Sequence, residues 1–264
     1  MANRLVFIGG GNILEKLRMT QREETVFSAY GACVYSVAEI EGKEIFSIHR
    51  HEAGHQLAAH NVDYLKIIAT AAEIKPDCVF GISICGSYVE DINPGNMIFV
   101  DQLIDITRKR RDTFYESRGD VRHVDVYEPI CSTKANALRK RYTCNHSIIQ
   151  RATTLVCMDG PRLSTRAELT WYRAMGGDIV NMSMAPEAFL AREKGLCYVA
   201  ISLVSDKASL DGSAVTSQDM QRTLETFERP FMALILDLIQ TYRESHFSQC
   251  NCHNAPGEAH VATK

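Results

Sequence analysis

The sequence CYVAISLV at residues 197–204, followed by Ser205, Asp206 and Lys207, decides the fold class. A run that is almost entirely apolar and rich in β-branched residues is typical of a strand that is buried on both faces. Such strands lie at the centre of sheets that helices cover on both sides. The polar residues after it therefore lie at the carboxyl end of a central strand, where open α/β sheets bind their ligands.

Outward from this strand, short apolar runs alternate with longer segments of helical periodicity, which predicts a mixed α/β protein. The other predicted strands are 4–8, 32–38, 44–48, 78–84, 97–100, 154–158 and 179–182. The predicted helices are 61–74, 134–147, 166–175, 186–194 and 217–244. Capping boxes are expected to begin two of these helices, at Thr165 with Glu168 and at Thr216 with Asp219. Pro230 should kink or divide the last helix.

Composition is that of an ordinary globular protein, with 45% apolar and 23% charged residues in a chain of 264. This length suits one α/β domain over residues 1–245, and the polar, aperiodic residues 246–264 are expected to form a flexible tail. A net charge of −3 argues against nucleic acid or an anionic membrane as a partner. We find neither a signal peptide nor a membrane span. Nine cysteines, several of them within apolar runs, favour a cytoplasmic location.

Two segments near the amino end have the composition of an anion site. Residues 7–12, FIGGGN, run from a strand into glycines whose backbone N–H groups can approach an anion, although a plain tight turn explains them equally well. Residues 49–55, HRHEAGH, contain three histidines without the spacing of a helical zinc pair. Arg50 would repel a cation and bind an oxyanion, so an anion site is favoured over a metal site or an exposed loop.

Three further segments place polar groups at the ends of strands. In GISICGS, residues 81–87, Cys85 is either a nucleophile or an inert buried thiol, and the second is favoured. Ser183 precedes a helix with Pro186 in its first turn, so it either binds an anion together with free N–H groups or only caps the helix. Asp206 is either a general acid or base, or an exposed turn residue.

Taken in order, these segments resemble the family of trimeric purine nucleoside phosphorylases and methylthioadenosine phosphorylases, from residue 7 to about residue 240. The most specific motifs are GPRLSTRAE at 160–168 and NMSMAPE at 181–187. The resemblance implies a single-domain, three-layer fold with a mixed central β-sheet flanked by helices. It also implies a homotrimer or a dimer of trimers, with inorganic phosphate as co-substrate and with neither a metal nor an organic cofactor.

The resemblance also assigns the site residues. Phosphate would be bound by Gly11, Arg50, His51, Ser83, Ile84 and Ser183. The nucleoside would contact Cys85, Gly86, Leu163, Ser164, Met182 and Asp206, with His55 and His123 near its 5′ end and partly supplied by a neighbouring subunit. Asp206 would be the catalytic acid that stabilises the departing purine.

Ser164 and Asp206 favour an adenine base, because family members that act on 6-oxopurines have Glu and Asn at these positions. A carboxylate can accept a hydrogen bond from a 6-amino group or share a proton with N7. The expected reaction is phosphorolysis of 5′-methylthioadenosine to adenine and 5-methylthioribose 1-phosphate. Ala208 replaces a second Asp, and Gly11 replaces a Ser or Thr. Phosphorolysis of inosine, guanosine or another 5′-modified adenosine therefore stays open, as do a nucleosidase and a non-catalytic purine-binding relative.

The tail contains Cys250-Asn251-Cys252, which resembles the C-x-C pairs near the carboxyl end of some archaeal methylthioadenosine phosphorylases. His246 and His253 lie beside it and could bind a metal adventitiously. A disulfide across so short a loop would be strained. We expect no functional metal site here and no role in catalysis.

Overall fold

The computed structural model describes residues 3–52, 54, 56–117, 121–208, 216–243, 250–256 and 260–261. The strands are β1 (Arg4–Gly9), β2 (Arg22–Ser28), β3 (Gly31–Ile40), β4 (Lys43–His49), β5 (Cys78–Ser87), β6 (Met97–Phe99), β7 (Gln102–Asp105), β8 (Arg122–His123), β9 (Thr154–Cys157), β10 (Ile179–Asn181), β11 (Tyr198–Lys207) and β12 (His260–Val261). The helices are α1 (Ile13–Lys16), α2 (Tyr64–Ile74), α3 (Ser132–Arg141), α4 (Arg166–Ala174), α5 (Met184–Glu193) and α6 (Ser217–Thr241).

A mixed sheet of ten strands is organised around β5. This strand pairs in parallel with β1 on one side and with β11 on the other, and β1 pairs in parallel with β4. Beyond β4 the sheet continues through antiparallel β3 and β2, and the far end of β5 pairs with antiparallel β10, which leads to β9 and β7. The run CYVAISLV therefore lies in a central strand, as predicted, because β11 lies between β5 and β6.

Helices cover both faces of the sheet, which confirms the three-layer architecture. Along β1, Val6 and Ile8 point into a core that contains α2 and α5, whereas Leu5 and Phe7 point into a core that contains α3 and α6. This alternation follows from the two-residue period of a strand. Because both faces are buried, the central strands are apolar along nearly their whole length.

The structure confirms the eight predicted strands and five predicted helices, although α3 ends at Arg141, six residues before its predicted end, and it adds shorter or more polar elements. Both capping boxes are present, at Thr165 with Glu168 and at Thr216 with Asp219. Unpredicted elements are β2, β7, β8, β12 and the four-residue helix α1. Helix α6 runs unbroken across Pro230, so the helix is not divided there, and the alternative of a kink stays a prediction.

Part of the expected tail is in contact with the rest of the chain. Cys252 and Ala255 are buried, and His260 pairs with His123 between β12 and β8. The domain boundary after residue 245 and the flexibility of the tail stay predictions. Within the described residues, none of the helices combines the length and the apolarity that crossing a bilayer demands.

Candidate active site

A cleft of about 1290 Å³ opens where β1, β4, β5 and β11 end. These four strands are parallel to one another, so their carboxyl ends meet at one edge of the sheet. Most of the predicted site residues line this cleft: Gly11, Arg50, His51, Ser83, Ile84, Cys85, Gly86, Leu163, Ser164, Met182, Ser183 and Asp206. The structure thus brings together residues from segments far apart in sequence.

A buried cluster of hydroxyl and amide groups forms one wall of the cleft. The Oγ atoms of Ser83 and Ser202 are 2.9 Å apart, on paired positions of β5 and β11. Asn181 donates from Nδ2 to Ser83 Oγ over 3.0 Å, and its Oδ1 accepts from the Ser183 backbone N–H over 3.3 Å. All four residues are buried, so their orientations are fixed by one another. Such a preorganised set of donors suits an oxyanion.

The amino end of α5 adds backbone donors to this wall. Ser183 is the N-cap residue, and among the described residues no side chain caps the helix. Pro186 lies in its first turn, as predicted. The first N–H groups of a helix have no partner within the helix, and the helix dipole favours negative charge there. Ser183 lines the cleft, so this helix end and the hydroxyl cluster can act on the same anion.

Arg50 is buried beneath this wall and forms an ion pair with Glu187 of α5. Its Nη2 also donates to Glu187 Oε2 over 3.1 Å, and the backbone oxygens of Ile8 and Ile82 accept from Nη2 and Nη1. Tyr198 donates to Glu187 Oε2 over 2.7 Å. Burial lowers the pKa of Arg50, but Glu187 more than offsets this and the net shift is upward. Arg50 is thus already charge-balanced, and its contact with phosphate stays a prediction.

The glycine loop, His51 and α1 form the adjoining part of the cleft. His51 Nδ1 lies 2.8 Å from the carbonyl oxygen of Leu57, and because a carbonyl only accepts, Nδ1 carries the hydrogen. A side chain at Gly11 would lie 3.3 Å from Lys16 Cε. Lys16 lines the cleft and forms an ion pair with Glu228 of α6. The side chain of Lys16 therefore lies beside Gly11, and this contact was not predicted.

Asp206 is aimed by an irregularity at the end of β11. Val204 pairs with Cys85 and Asp206 with Gly86, so Ser205 is a bulged extra residue. Ser205 donates to Asp206 Oδ1 over 2.5 Å. A Cβ atom at Gly86 would lie 2.7 Å from Asp206 Oδ2, so the carboxylate occupies the space that any other residue would need. The bulge and the glycine together place this carboxylate in the cleft.

The environment of Asp206 favours its protonated form. Burial raises the pKa of Asp206, and the hydrogen bond from Ser205 opposes that shift only in part. A carboxyl group with a raised pKa can act as a general acid near neutral pH. Asp206 is only partly exposed, which favours the functional interpretation over an exposed turn residue.

Cys85 does not have the environment of a nucleophile. It is buried, its Sγ donates to Leu203 O over 3.7 Å, and burial together with nearby Asp206 raises the pKa of its thiol. A nucleophilic cysteine needs a lowered pKa. The interpretation as an inert thiol is therefore the better one.

Apolar side chains line the opposite part of the cleft. Leu163 and Ile84 are 47% and 43% exposed, and such accessible apolar surface suits the flat face of a base. Met182 packs over Gly160, whose φ of +66° and close contact with the Met182 sulfur both require glycine. Ser164 Oγ lies 3.1 Å from the sulfur of Met158.

One predicted histidine is not among the residues that line this cleft, and another is not described. His123 lies in β8, away from the residues that line the cleft of its own chain. Its contact with a nucleoside in a neighbouring subunit stays a prediction. His55 lies outside the described residues.

Comparison with known proteins now identifies the family. Residues 6–240 match the Phosphorylase superfamily. The chain belongs to this superfamily. It is 31% identical to the 6-oxopurine nucleoside phosphorylase of Pyrococcus furiosus, over 96% of this chain and 97% of the relative. It is also 31% identical to the S-methyl-5′-thioadenosine phosphorylase of Thermofilum pendens, over 97% and 98% of the two chains.

Solved structures of phosphorylases share the fold. A methylthioadenosine phosphorylase from an antarctic soil metagenomic library superposes with a TM-score of 0.80 at 27% identity, over 96% of this chain and 91% of that one. The methylthioadenosine phosphorylase of Schistosoma mansoni in complex with adenine gives a TM-score of 0.83 at 24% identity, over 93% and 94% of the chains. The expected family and fold are both confirmed.

The sequence analysis did not assign roles to four residues in the cleft or buried directly behind it. Asn181 and Glu187 lie within the motif NMSMAPE, but nothing in the motif indicates which side chains they contact. Ser202 is the one serine or threonine within CYVAISLV, which is a signal that could have been used. Lys16 follows the glycine loop by five positions and carries no signal of its own.

Proposed function

We propose that the chain is a pentosyltransferase that cleaves 5′-methylthioadenosine with inorganic phosphate, giving adenine and 5-methylthioribose 1-phosphate. The observation that carries this proposal is the partly buried Asp206 carboxyl, whose raised pKa suits a general acid, in the same cleft as a preorganised anion site. Relatives named S-methyl-5′-thioadenosine phosphorylase, which match nearly the whole chain, support it.

The strand register supplies the spacing that the reaction needs. Ser83 and Ser202 are paired across β5 and β11, and Gly86 pairs with Asp206 further along the same two strands. Three residues of extended chain cover about 10 Å, because a strand rises about 3.3 Å per residue. A ribose fits between an anion held at the serines and a base held at Asp206.

In the proposed reaction, phosphate is held by Ser83, Ser183 and the first N–H groups of α5. The C1′–N9 bond breaks with its electron pair passing to the purine, and the ribose gains positive character. Asp206 transfers its proton to N7 of the purine, and a phosphate oxygen forms the new bond to C1′. Positioning and electrostatic stabilisation supply most of the rate enhancement, and neither a covalent enzyme intermediate nor an organic cofactor takes part.

Asp206 also carries the proposed preference for a 6-amino base. While one oxygen of Asp206 carries the proton for N7, its other oxygen only accepts and can bond a 6-amino group, whereas an amide side chain can also donate to a 6-oxo group. Relatives of similar identity are named 6-oxopurine nucleoside phosphorylase and S-methyl-5′-thioinosine phosphorylase, so the base has to be tested directly.

The test compares kcat/KM for 5′-methylthioadenosine, 5′-methylthioinosine, adenosine and inosine at saturating phosphate. We expect the 6-amino member of each pair to be preferred by at least about tenfold, and Asp206→Asn to reverse that order, since unpaired polar groups strongly penalise the wrong base. Equal use of both bases by the unaltered enzyme would contradict the assignment of Asp206.

The assembly and location are part of the proposal. A homotrimer, or a dimer of trimers, would bury Phe27 and Val34, which are 78% and 54% exposed in the single chain. Light scattering coupled to gel filtration measures the subunit number directly, and a monomer at assay concentrations would contradict this part. We also propose a cytoplasmic location, which the cysteine content favours and which fractionation of the source cells tests.

A further inference from the structure

Four cysteine sulfurs meet in the core layer that contains α3 and α6, away from the cleft. Cys131 is the N-cap residue of α3, and Cys197 directly precedes β11. Cys250 and Cys252 come from the carboxyl-terminal segment. All four Sγ atoms lie within 4.8 Å of one another, and only Cys250 is partly exposed.

We propose that these four cysteines bind one structural zinc ion. Zinc with four thiolates is tetrahedral with Zn–S bonds of about 2.3 Å, which places neighbouring sulfurs about 3.8 Å apart. Cys250 Sγ lies 3.8 Å from Cys197 Sγ. That separation is far longer than an S–S bond of about 2 Å. The cluster therefore has the dimensions of a zinc site before any ion is bound.

Two of the ligands are held by the rigid core. The Cys131 N–H donates to the Tyr198 carbonyl oxygen over 2.8 Å, which fixes Cys131 beside the start of β11 and so beside Cys197. Cys131 is also the residue at which the ten-residue helix α3 begins, so the helix holds its backbone in place.

The other two ligands are brought in by contacts that do not involve sulfur. Nδ1 of His253 lies 3.0 Å from the carbonyl oxygen of Gly195, in the turn before β11, and Ala255 is buried. A side chain at Gly195 would lie 3.2 Å from both the backbone of His253 and the ring of Pro256. The segment is thus seated against this turn, and its C-x-C spacing presents two sulfurs to the same point.

Zinc satisfies all four sulfurs at once. Each thiol loses its proton to solvent as its sulfur bonds to the ion, with no change of oxidation state, and soft thiolate ligands favour zinc over harder cations. Two disulfides would instead require the loss of four electrons to an oxidant. The expectation of no metal came from the family resemblance and from the C-x-C pair considered by itself. The two cysteines that complete the cluster lie 53 or more residues before that pair.

The role of the ion is structural. It would fasten the carboxyl-terminal segment to the start of β11, the strand whose other end presents Asp206 to the cleft. We therefore expect the metal to affect stability more than the chemical step.

The test measures metal content of the full chain, purified with a reductant and passed through a chelating resin. We expect about one zinc ion per chain by inductively coupled plasma mass spectrometry. The double variant Cys250→Ser/Cys252→Ser, which alters only the two ligands of the carboxyl-terminal segment, should lower the zinc content by about tenfold. Cys131→Ser should lower it to the same extent. Cys144→Ser is the matched control, because Cys144 is exposed and outside the cluster, and it should keep its zinc.

Three results would overturn the proposal. One is zinc well below stoichiometry in the unaltered chain, and another is equal zinc in all variants, which would mean an adventitious ion only. The third is a pair of disulfides, detected by counting thiols in denaturant without reductant. All nine cysteines should react once zinc is chelated, whereas two disulfides in the cluster would leave five. Circular dichroism and phosphorolysis by the 250/252 variant check that loss of zinc does not merely report unfolding.

Discussion

Replacing Gly86 by alanine should impair the function of Asp206 by displacing its carboxylate, although Asp206 itself is not substituted. The added Cβ would lie 2.7 Å from Asp206 Oδ2, whereas ordinary van der Waals contact begins near 3.4 Å. Gly86 is not among the glycines with positive φ, so alanine suits its backbone. The carboxylate is therefore the group that has to move, by about 0.7 Å, the difference between these distances.

The size of the effect follows from this displacement. Misplacing a catalytic group by about 1 Å can cost about 10²-fold in rate. A shift of about 0.7 Å, which also stretches the 2.5 Å hydrogen bond from Ser205, should lower kcat/KM by between about 10-fold and 10²-fold. Stability should change little, because the substitution opens no cavity and demands no unusual backbone conformation.

A double-mutant cycle isolates the cause. Asp206→Ala alone should lower kcat by about 10²-fold or more, the scale expected for a positioned acid. Gly86→Ala should then cost nothing further in the Asp206→Ala background, because the side chain it displaces is gone. The assay is adenine release from 5′-methylthioadenosine at saturating phosphate. If Gly86→Ala is equally harmful with and without the carboxylate, the steric reasoning is refuted.

Three further predictions concern the cleft and its support. Glu187→Gln should lower the free energy of unfolding in urea by about 3–5 kcal/mol, because the buried Arg50 loses its counter-charge. The control Asp91→Asn, which removes one partner of an exposed ion pair, should lower it by less than about 1 kcal/mol. An equal loss of stability in the two variants would contradict the claim that burial makes the Arg50–Glu187 pair the more costly one to break. Gly11→Ser should lower KM for phosphate severalfold with little change in kcat; an unchanged KM would show that Lys16 prevents the contact. Because the pKa of Asp206 is raised and the acid form is the active one, kcat should fall as pH rises through that pKa. If the pH–rate profile of Asp206→Asn shows the same decrease of kcat at alkaline pH, the decrease belongs to the titration of another group.

The layered fold could be predicted because burial on both faces leaves a strong sequence signal. The strands β1, β5 and β11 are apolar along most of their length, and hydroxyl–acid pairs marked the starts of α4 and α6. By contrast, β2 lies at the edge of the sheet and has the sequence REETVFS. Its charged residues do not form the apolar run from which the other strands were predicted. Helix α1 is four residues long, too short for a periodic pattern.

The site could be predicted only where its chemistry is local in sequence. Asp206 lies near the end of β11 and Ser83 within the second half of β5, towards the strand ends at which open α/β sheets bind ligands. The balance of charge at Arg50 could not be anticipated, because Glu187 is 137 residues away. Similarly, Ser202 acquires its role only through Ser83, 119 residues earlier, which packing of β11 on β5 brings within hydrogen-bond distance.

The most direct test of the central claim is adenine release from 5′-methylthioadenosine with and without inorganic phosphate, comparing the unaltered enzyme with Asp206→Ala. Adenine and 5-methylthioribose 1-phosphate should form in equal amounts, only when phosphate is present, and at a rate about 10²-fold or more lower in the variant. Adenine released at the same rate without phosphate would identify a nucleosidase, and full activity in the variant would remove Asp206 from the mechanism.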